Sequence, residues 1–263
     1  MISSQVSKSR STSEEIVETT TVKKIRKVLD GIARQSQFGF IFGPSGRGKT
    51  FTAKKWIEHN GNAAYIRIQT GTTQGRLRKQ ISSALFGHEN GSYSAILRHL
   101  MDRPGFIIVI DEAAHLITET STASSAKNMD FIRDIYDEVK ENGGSCGVCF
   151  IFTHYNIDRL ISGRLSEFLR QFVSRMDNHL NIPEKISRAY EIRPAVSAFV
   201  ENPSDDLIDA AWAIASNACA SMRSLYRYLK IAQKVCAKTA QSISGEMLRE
   251  IQKQYESGDY PDE

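Results

Sequence analysis

Hydrophobic positions at the start of the chain recur at helical spacing. Ile16, Val22, Ile25, Val28, Leu29 and Ile32, with Lys and Arg between them, predict an amphipathic helix from Ile16 to about Ala33. A short apolar run, Phe38 to Phe42, then meets a glycine-rich turn and a helical stretch from about Thr50, which makes a strand-turn-helix unit. Ala64 to Ile68 reads as a second strand, and Arg76 to Leu85 and Tyr93 to Met101 as helices. Phe106 to Ile110 and Val148 to Phe152 are continuous apolar runs, the pattern of parallel strands buried on both faces. Thr118 to Lys127, rich in Thr, Ser and Ala, reads as a mobile loop. Beyond Pro183 only helical patterns remain, at Asp205 to Ala218, Met222 to Ala237 and Gly245 to Tyr255.

Strands alternating with helices predict an α/β fold: a parallel sheet flanked by helices, with a small C-terminal helical lid. The expected organisation is a disordered tail at 1–15, a core at 16–183, a lid at 184–255 and a tail at 256–263. The first fifteen residues include six serines and no aromatic residue, too little apolar surface to offset the entropy of ordering.

Composition narrows the setting. At 263 residues and 41% hydrophobic content the chain can bury a large core. It has no run near the ~18 apolar residues of a membrane span and no secretory leader, so the expected location is cytoplasmic and no membrane partner is expected. Cys146 and Cys149 have metal-like spacing, but Cys219 and Cys236 supply no second close pair, so zinc is not expected. The net charge of +4 is unevenly spread: Val22 to His88 carries thirteen Lys and Arg against Asp30 and Glu58, a net +11. That imbalance points to a polyanion-facing surface.

The candidate chemistry starts at the first turn. Gly43-Pro44-Ser45-Gly46-Arg47-Gly48-Lys49-Thr50 fits the P-loop pattern, followed by Phe51, in which backbone N–H groups at a helix N-terminus converge on phosphate oxygens. Lys49 is expected on the β- and γ-phosphates of ATP and Thr50 on Mg²⁺. The strand Phe106 to Ile110 ends in Asp111 and Glu112. Adjacent strand residues point to opposite sides, so Asp111 can approach the metal while Glu112 addresses the attacking water. The strand Val148 to Phe152 ends in Thr153 and His154, either of which could sense the γ-phosphate, Thr153 being preferred on position.

In this order, the P-loop, the Asp-Glu strand, the polar strand tip and the helical lid resemble an AAA+ ATPase over about residues 20 to 240. Val17 to Lys23, Ile110 to Leu116, Phe172 to Arg175 and Met222 to Leu225 resemble the MuB, TnsC and IstB group of transposition ATPases, MuB of phage Mu most closely. The resemblance implies an ATP-loaded protein that self-associates into an oligomer or filament on double-stranded DNA with little sequence preference. It would present that DNA to a transposase and disassemble on hydrolysis. It also implies that Arg175 is an arginine finger reaching a neighbouring subunit, with Arg170 the alternative, and that Arg223 is a lid arginine facing the nucleotide. MuB carries an N-terminal helix-turn-helix module, for which the residues before the core are too few, and its strand-tip Asn is replaced by Thr153 or His154.

DNA contacts are therefore expected on the core. Thr73, Arg76, Arg78 and Lys79 follow the second strand and start a helix, where phosphates could meet both N–H groups and cations. Lys54 and Lys55 read as ordinary charges, as do Arg227, Lys230, Lys234 and Lys238 along one face of a lid helix. Two other functions fit the same motifs: a helicase-loader-like or secretion-associated ATPase acting on a protein, and a nucleotide-gated scaffold with negligible turnover.

Overall fold

The structure, a computed structural model, describes residues 16–117, 122–153, 176–217, 221–239 and 241–258, with backbone alone for 122–126 and 176–177. The tail expected at 1–15 lies outside the described residues, as do His154, Arg170 and the segment Phe172 to Arg175.

Helix α1 spans Thr20–Gln35. It starts later than its apolar spacing predicts because Thr19 caps it, its hydroxyl accepting from the Val22 N–H at 3.3 Å. Strand β1 (Phe38–Gly43) and helix α2 (Lys49–His59) frame the P-loop. Strand β2 (Ala63–Arg67), helices α3 (Gln74–Phe86) and α4 (Tyr93–Met101) and strand β3 (Phe106–Asp111) follow. Next come helix α5 (Thr122–Glu141), strand β4 (Cys146–Thr153) and edge strand β5 (Met176–Asn181).

The five strands among the described residues are all parallel, in the order β2-β3-β4-β1-β5. Both faces are covered, which is why β1 and β3 read as unbroken apolar runs. On one face Phe38, Phe40 and Phe42 stack with Phe150 and Phe152 under α3, α4 and α5. On the other, Ile41, Val109, Cys149 and Ile151 meet Ile25, Leu29 and Ile32 of α1 and Trp56 of α2. Among the described residues no helix is long and apolar enough to cross a membrane.

Two elements differ from the sequence expectation. The loop expected at Thr118 to Lys127 is helical from Thr122, with 118–121 outside the described residues. Its continuation buries Met129, Ile132, Ile135, Tyr136 and Val139, a helical stripe that extends the helix back through its Ala- and Ser-containing first turns. Strand β5 was not expected, because Met-Asp-Asn-His-Leu-Asn is too polar to announce a strand; an edge position tolerates it.

The C-terminal part is helical, as expected: a π-turn at Arg188–Ile192, α6 (Arg193–Ser197), α7 (Asp205–Ser216), α8 (Met222–Thr239) and α9 (Gly245–Ser257). It has its own core around Leu207, Ile214, Leu225, Leu229 and Leu248. A polar clasp ties it to α1. Buried Glu191 accepts from the Thr21 backbone N–H at 2.8 Å and from the Thr21 hydroxyl at 2.9 Å. Replacing Glu191 with Ala strands both donors, so Glu191→Ala should lose about 1–3 kcal/mol of stability in urea unfolding. A loss under a few tenths of a kcal/mol would show that the clasp contributes nothing.

Candidate nucleotide site

The P-loop leaves β1 at Gly43 and enters α2 at Lys49, so the N–H groups of the first turn of α2 face the loop's concavity. Gly46 and Gly48 adopt φ of 72° and 80°, conformations that a side chain makes costly. Gly46 is constrained twice over: a Cβ there would lie 2.4 Å from Cβ of Ser221, immediately before α8. The helix carrying Arg223 therefore begins against the P-loop, and Arg223 itself is exposed on its first turn.

Lys49 is buried and donates at 2.7 Å to the carbonyls of both Gly43 and Pro44. Burial pushes its ammonium down to about 8; the Asp111 and Glu112 carboxylates oppose the shift and Arg47 adds to it. Arg47 donates at 3.0 Å to the carbonyls of Pro183 and Glu184, bracing the loop against the start of the helical part. Burial lowers its guanidinium pKa, with Glu191 pulling the other way. Phe51 is exposed on α2, and Ser45 lies in the turn.

Asp111 ends β3 and is almost fully buried. Its Oδ2 accepts from the Thr50 hydroxyl at 2.7 Å and from the Tyr65 hydroxyl at 2.6 Å, and its Oδ1 from the Glu112 N–H at 2.9 Å. Glu112 follows in a left-handed conformation, φ 53°, which turns the chain sharply out of the strand. Its carboxylate is part-exposed and pairs with Arg67 at 3.6 Å. Thr153 ends β4 in register with Gly43, at the strand tip between the P-loop strand and the strand of Asp111.

The structure thus brings Lys49, Thr50, Asp111, Glu112 and Thr153 to one end of the sheet. Thr73, Arg76, Arg78 and Lys79 are exposed at the start of α3, beyond β2. Thr73 caps α3, accepting from the Arg76 N–H at 3.3 Å; Arg76 contacts the Gln69 side chain, and Lys79 lies 4.0 Å from Glu89. Arg175, Arg170 and His154 lie outside the described residues.

Tyr65 and Arg67, both on β2, were missed by the sequence reading. The signal was available only in the sheet order, since β2 lies beside β3 with Arg67 in register with Asp111. Burial and the bond to Asp111 both raise the Tyr65 pKa, so the phenol stays a donor at ordinary pH.

The combination of a P-loop, a neighbouring strand ending in a buried Asp, the β2-β3-β4-β1-β5 order and an appended helical part admits few folds. Residues 32–161, just under half the chain, match the AAA domain family. The fold is the AAA+ P-loop fold. No curated protein matches the sequence. Among solved structures the chain is similar to the ORC2 protein of Aeropyrum pernix, solved as ADPNP-ADP complexes, with a TM-score of 0.62 and 16% identity, covering 90% of this chain and 69% of that one. It is also similar to the ORC1 protein of Aeropyrum pernix in complex with DNA, with a TM-score of 0.61 and 14% identity over 91% of this chain and 66% of that one. A Walker-type ATPase of Pyrococcus abyssi aligns with a TM-score of 0.60 and 13% identity over 94% of this chain and 75% of its own.

The donors of this site suit a hard divalent cation, because a hydroxyl and a carboxylate oxygen meet at 2.7 Å in Thr50 and Asp111. Among the described residues no cluster of three or more His, Cys, Asp or Glu could hold a metal by itself. A cation here would need water or phosphate oxygens to complete its shell.

Two outcomes follow from this geometry. A phosphate ligand favours charged Lys49 and raises its pKa from about 8. Mg²⁺-free ATP binding in EDTA should therefore change little between about pH 7, where the terminal phosphate is ionised, and that pH, and above it weaken by up to tenfold per pH unit with uptake of one proton, on the order of the single-site linkage limit. Calorimetry in buffers of different ionisation enthalpy checks this, and no proton uptake at pH 9 would contradict it. Second, Tyr65→Phe removes one of the donors orienting Asp111, so Mg²⁺-dependent nucleotide affinity should fall by roughly tenfold while Mg²⁺-free affinity holds. Equal loss in both conditions would mean that Tyr65 serves only packing.

Proposed function

We propose that this AAA+ chain hydrolyses ATP with Mg²⁺, binds double-stranded DNA in its ATP-loaded state, self-associates on it and delivers it to a transposase. The observation carrying the hydrolytic part is the contact of Thr50 with Asp111 beside the P-loop, with Glu112 one residue further on. The +11 balance from Val22 to His88 supports the DNA part, as does the similarity to an ORC1 protein solved with DNA. The transposition part rests on the motif resemblance to the MuB, TnsC and IstB group.

In this reading the N–H groups of Gly46 to Thr50 hold the phosphates, and Lys49 leaves its two loop carbonyls for the β- and γ-phosphate oxygens. Thr50 and Asp111 hold Mg²⁺, which neutralises charge building on the phosphates when bound. Glu112 orients the attacking water and takes its proton. Its ion pair with Arg67 restrains that carboxylate, so a change at β2 is felt by the base. Thr153 senses the γ-phosphate from the tip of β4. Arg223 closes the lid over the nucleotide, which the seating of Ser221 on Gly46 favours. Arg175 serves as the finger in the neighbouring subunit's site.

Thr73, Arg76, Arg78 and Lys79 are the proposed phosphate-backbone contacts. Their existing partners are exposed, so exchange for DNA phosphates costs little.

The test separates binding from chemistry. Glu112→Gln keeps size and hydrogen bonding but removes the base, so ATP and Mg²⁺ should still bind while turnover falls by roughly 10²-fold or more. The same variant, held in its ATP state, should stay longer on DNA after dilution into ATP-free buffer. Arg76→Ala with Lys79→Ala should flatten the plot of log DNA affinity against log salt by about 0.9 per lost phosphate contact. Wild-type turnover in Glu112→Gln would refute the base; an unchanged DNA lifetime would refute the coupling; an unchanged salt slope would exclude the α3 patch.

A further inference from the structure

Helix α1 lies across one face of the sheet, and its outer flank overhangs the edge strand. Between that flank and β5 runs a groove of about 490 Å³, lined by Lys24, Lys27, Val28, Arg34, His179 and Leu180. Gly31 and Asn178 bring the two elements together at its base: a Cβ on Gly31 would lie 2.9 Å from the Asn178 side-chain oxygen. Asn178 is held there by donating at 2.7 Å to Gln35.

The described side chains that line the groove carry one sign of charge: Lys24, Lys27 and Arg34 are among them, with His179, and no carboxylate is. The acidic groups nearest along α1 are turned elsewhere: Asp30 accepts from the Trp56 indole at 2.8 Å on the α2 flank, and Glu18 pairs with Arg26. Lys24 and Lys27 have no ion-pair partner among the described residues.

The other wall is a strand edge. Among the described strands β5 pairs with β1 alone, and its outer edge carries N–H and C=O groups that no described strand takes up. Its six residues run roughly 20 Å at ~3.3 Å per residue, and the cationic stripe from Lys24 to Arg34 covers about 15 Å at ~1.5 Å per residue. The cationic stripe thus spans about three quarters of the strand's length.

We propose that this groove binds an extended, acidic segment of a protein partner, which adds as a strand to the outer edge of β5 and sets its carboxylates against Lys24, Lys27 and Arg34. The backbone edge supplies affinity and the cationic wall supplies selectivity, the division of labour seen when a peptide extends a sheet. The C=O groups of the β5 edge favour a peptide, whose N–H groups can donate to them, over a phosphate backbone, which has no such donors. The groove lies at the β5 edge, whereas Arg76 and Lys79 lie beyond β2, the opposite edge of the sheet. A partner held here leaves the proposed DNA contacts free.

The probe is a fluorescein-labelled peptide of four Glu-Val repeats, with a Lys-Val peptide of the same length as its control, titrated against the full chain by anisotropy. The Glu-Val peptide should bind at least about tenfold more tightly than Lys-Val, and Lys24→Glu combined with Lys27→Glu should weaken it by about tenfold or more. Lys23→Glu, a reversal on the same helix outside the groove, should change it by less than about twofold. Hydrogen exchange should show new protection of β5 amides on binding. Unaltered binding of a fluorescent ATP analogue would show that the variants are folded. Equal affinity for the two peptides, an equal effect of Lys23→Glu, or no protection of β5 would overturn the proposal. So would protection of α1 and β5 by a random-sequence DNA duplex but not by the peptide, which would make the groove a phosphate site.

Discussion

A carboxylate with about 1% of its surface exposed is costly unless donors replace its water, and Asp111 has three of them. They come from α2, from β2 and from the residue that follows it in the chain. Because they converge on one group, the end of β3 is tied to the helix after the P-loop and to the neighbouring strand. Lys49 depends on the same charge, since Asp111 is the larger of the two attractions opposing the loss of its proton on burial. Glu112 depends on it too, because the bond from its N–H to Asp111 accompanies the left-handed turn that carries its side chain out of the strand.

That convergence needs a rigid floor. The stacked phenylalanines of β1 and β4 on one face, and the aliphatic contacts of α1 and α2 on the other, fix β1, β4 and β3 in parallel register. Gly43, Thr153 and Asp111 then emerge at the same end of the sheet. The helical part adds contacts from outside, among them Ser221 on Gly46 and Glu191 on Thr21. The first touches the loop that would hold phosphate, and the second touches the start of α1. Both the P-loop and the helix that walls the groove at β5 are therefore in contact with the helical part.

Much of this was legible in the sequence because the signals were local. A P-loop is a contiguous run whose glycines each meet a backbone demand, and β3 is an apolar run that stops at two carboxylates. Tyr65 and Arg67 were invisible for the opposite reason: their importance lies in which strand is neighbour to which, and sheet order is not written in either strand alone. Strand β5 escaped because its sequence is polar, and α5 was not predicted: its start was read as loop composition, and the apolar stripe from Met129 to Val139 that marks the helix was passed over. Part of the basic bias of the first third can be placed at the start of α3 from the sequence, but only the structure gathers another part on the overhang of α1.

The central claim is that Asp111, placed by these contacts, converts a phosphate-binding loop into a site for Mg²⁺ and ATP together. The most direct measurement is equilibrium binding of a fluorescent ATP analogue to wild type and to Asp111→Asn, each with Mg²⁺ and with EDTA. The account predicts that Mg²⁺ tightens binding to wild type, and that Asp111→Asn loses most of that gain while its affinity in EDTA is kept or improved, because one negative charge near the phosphates has gone. An undiminished Mg²⁺ gain in Asp111→Asn would contradict it.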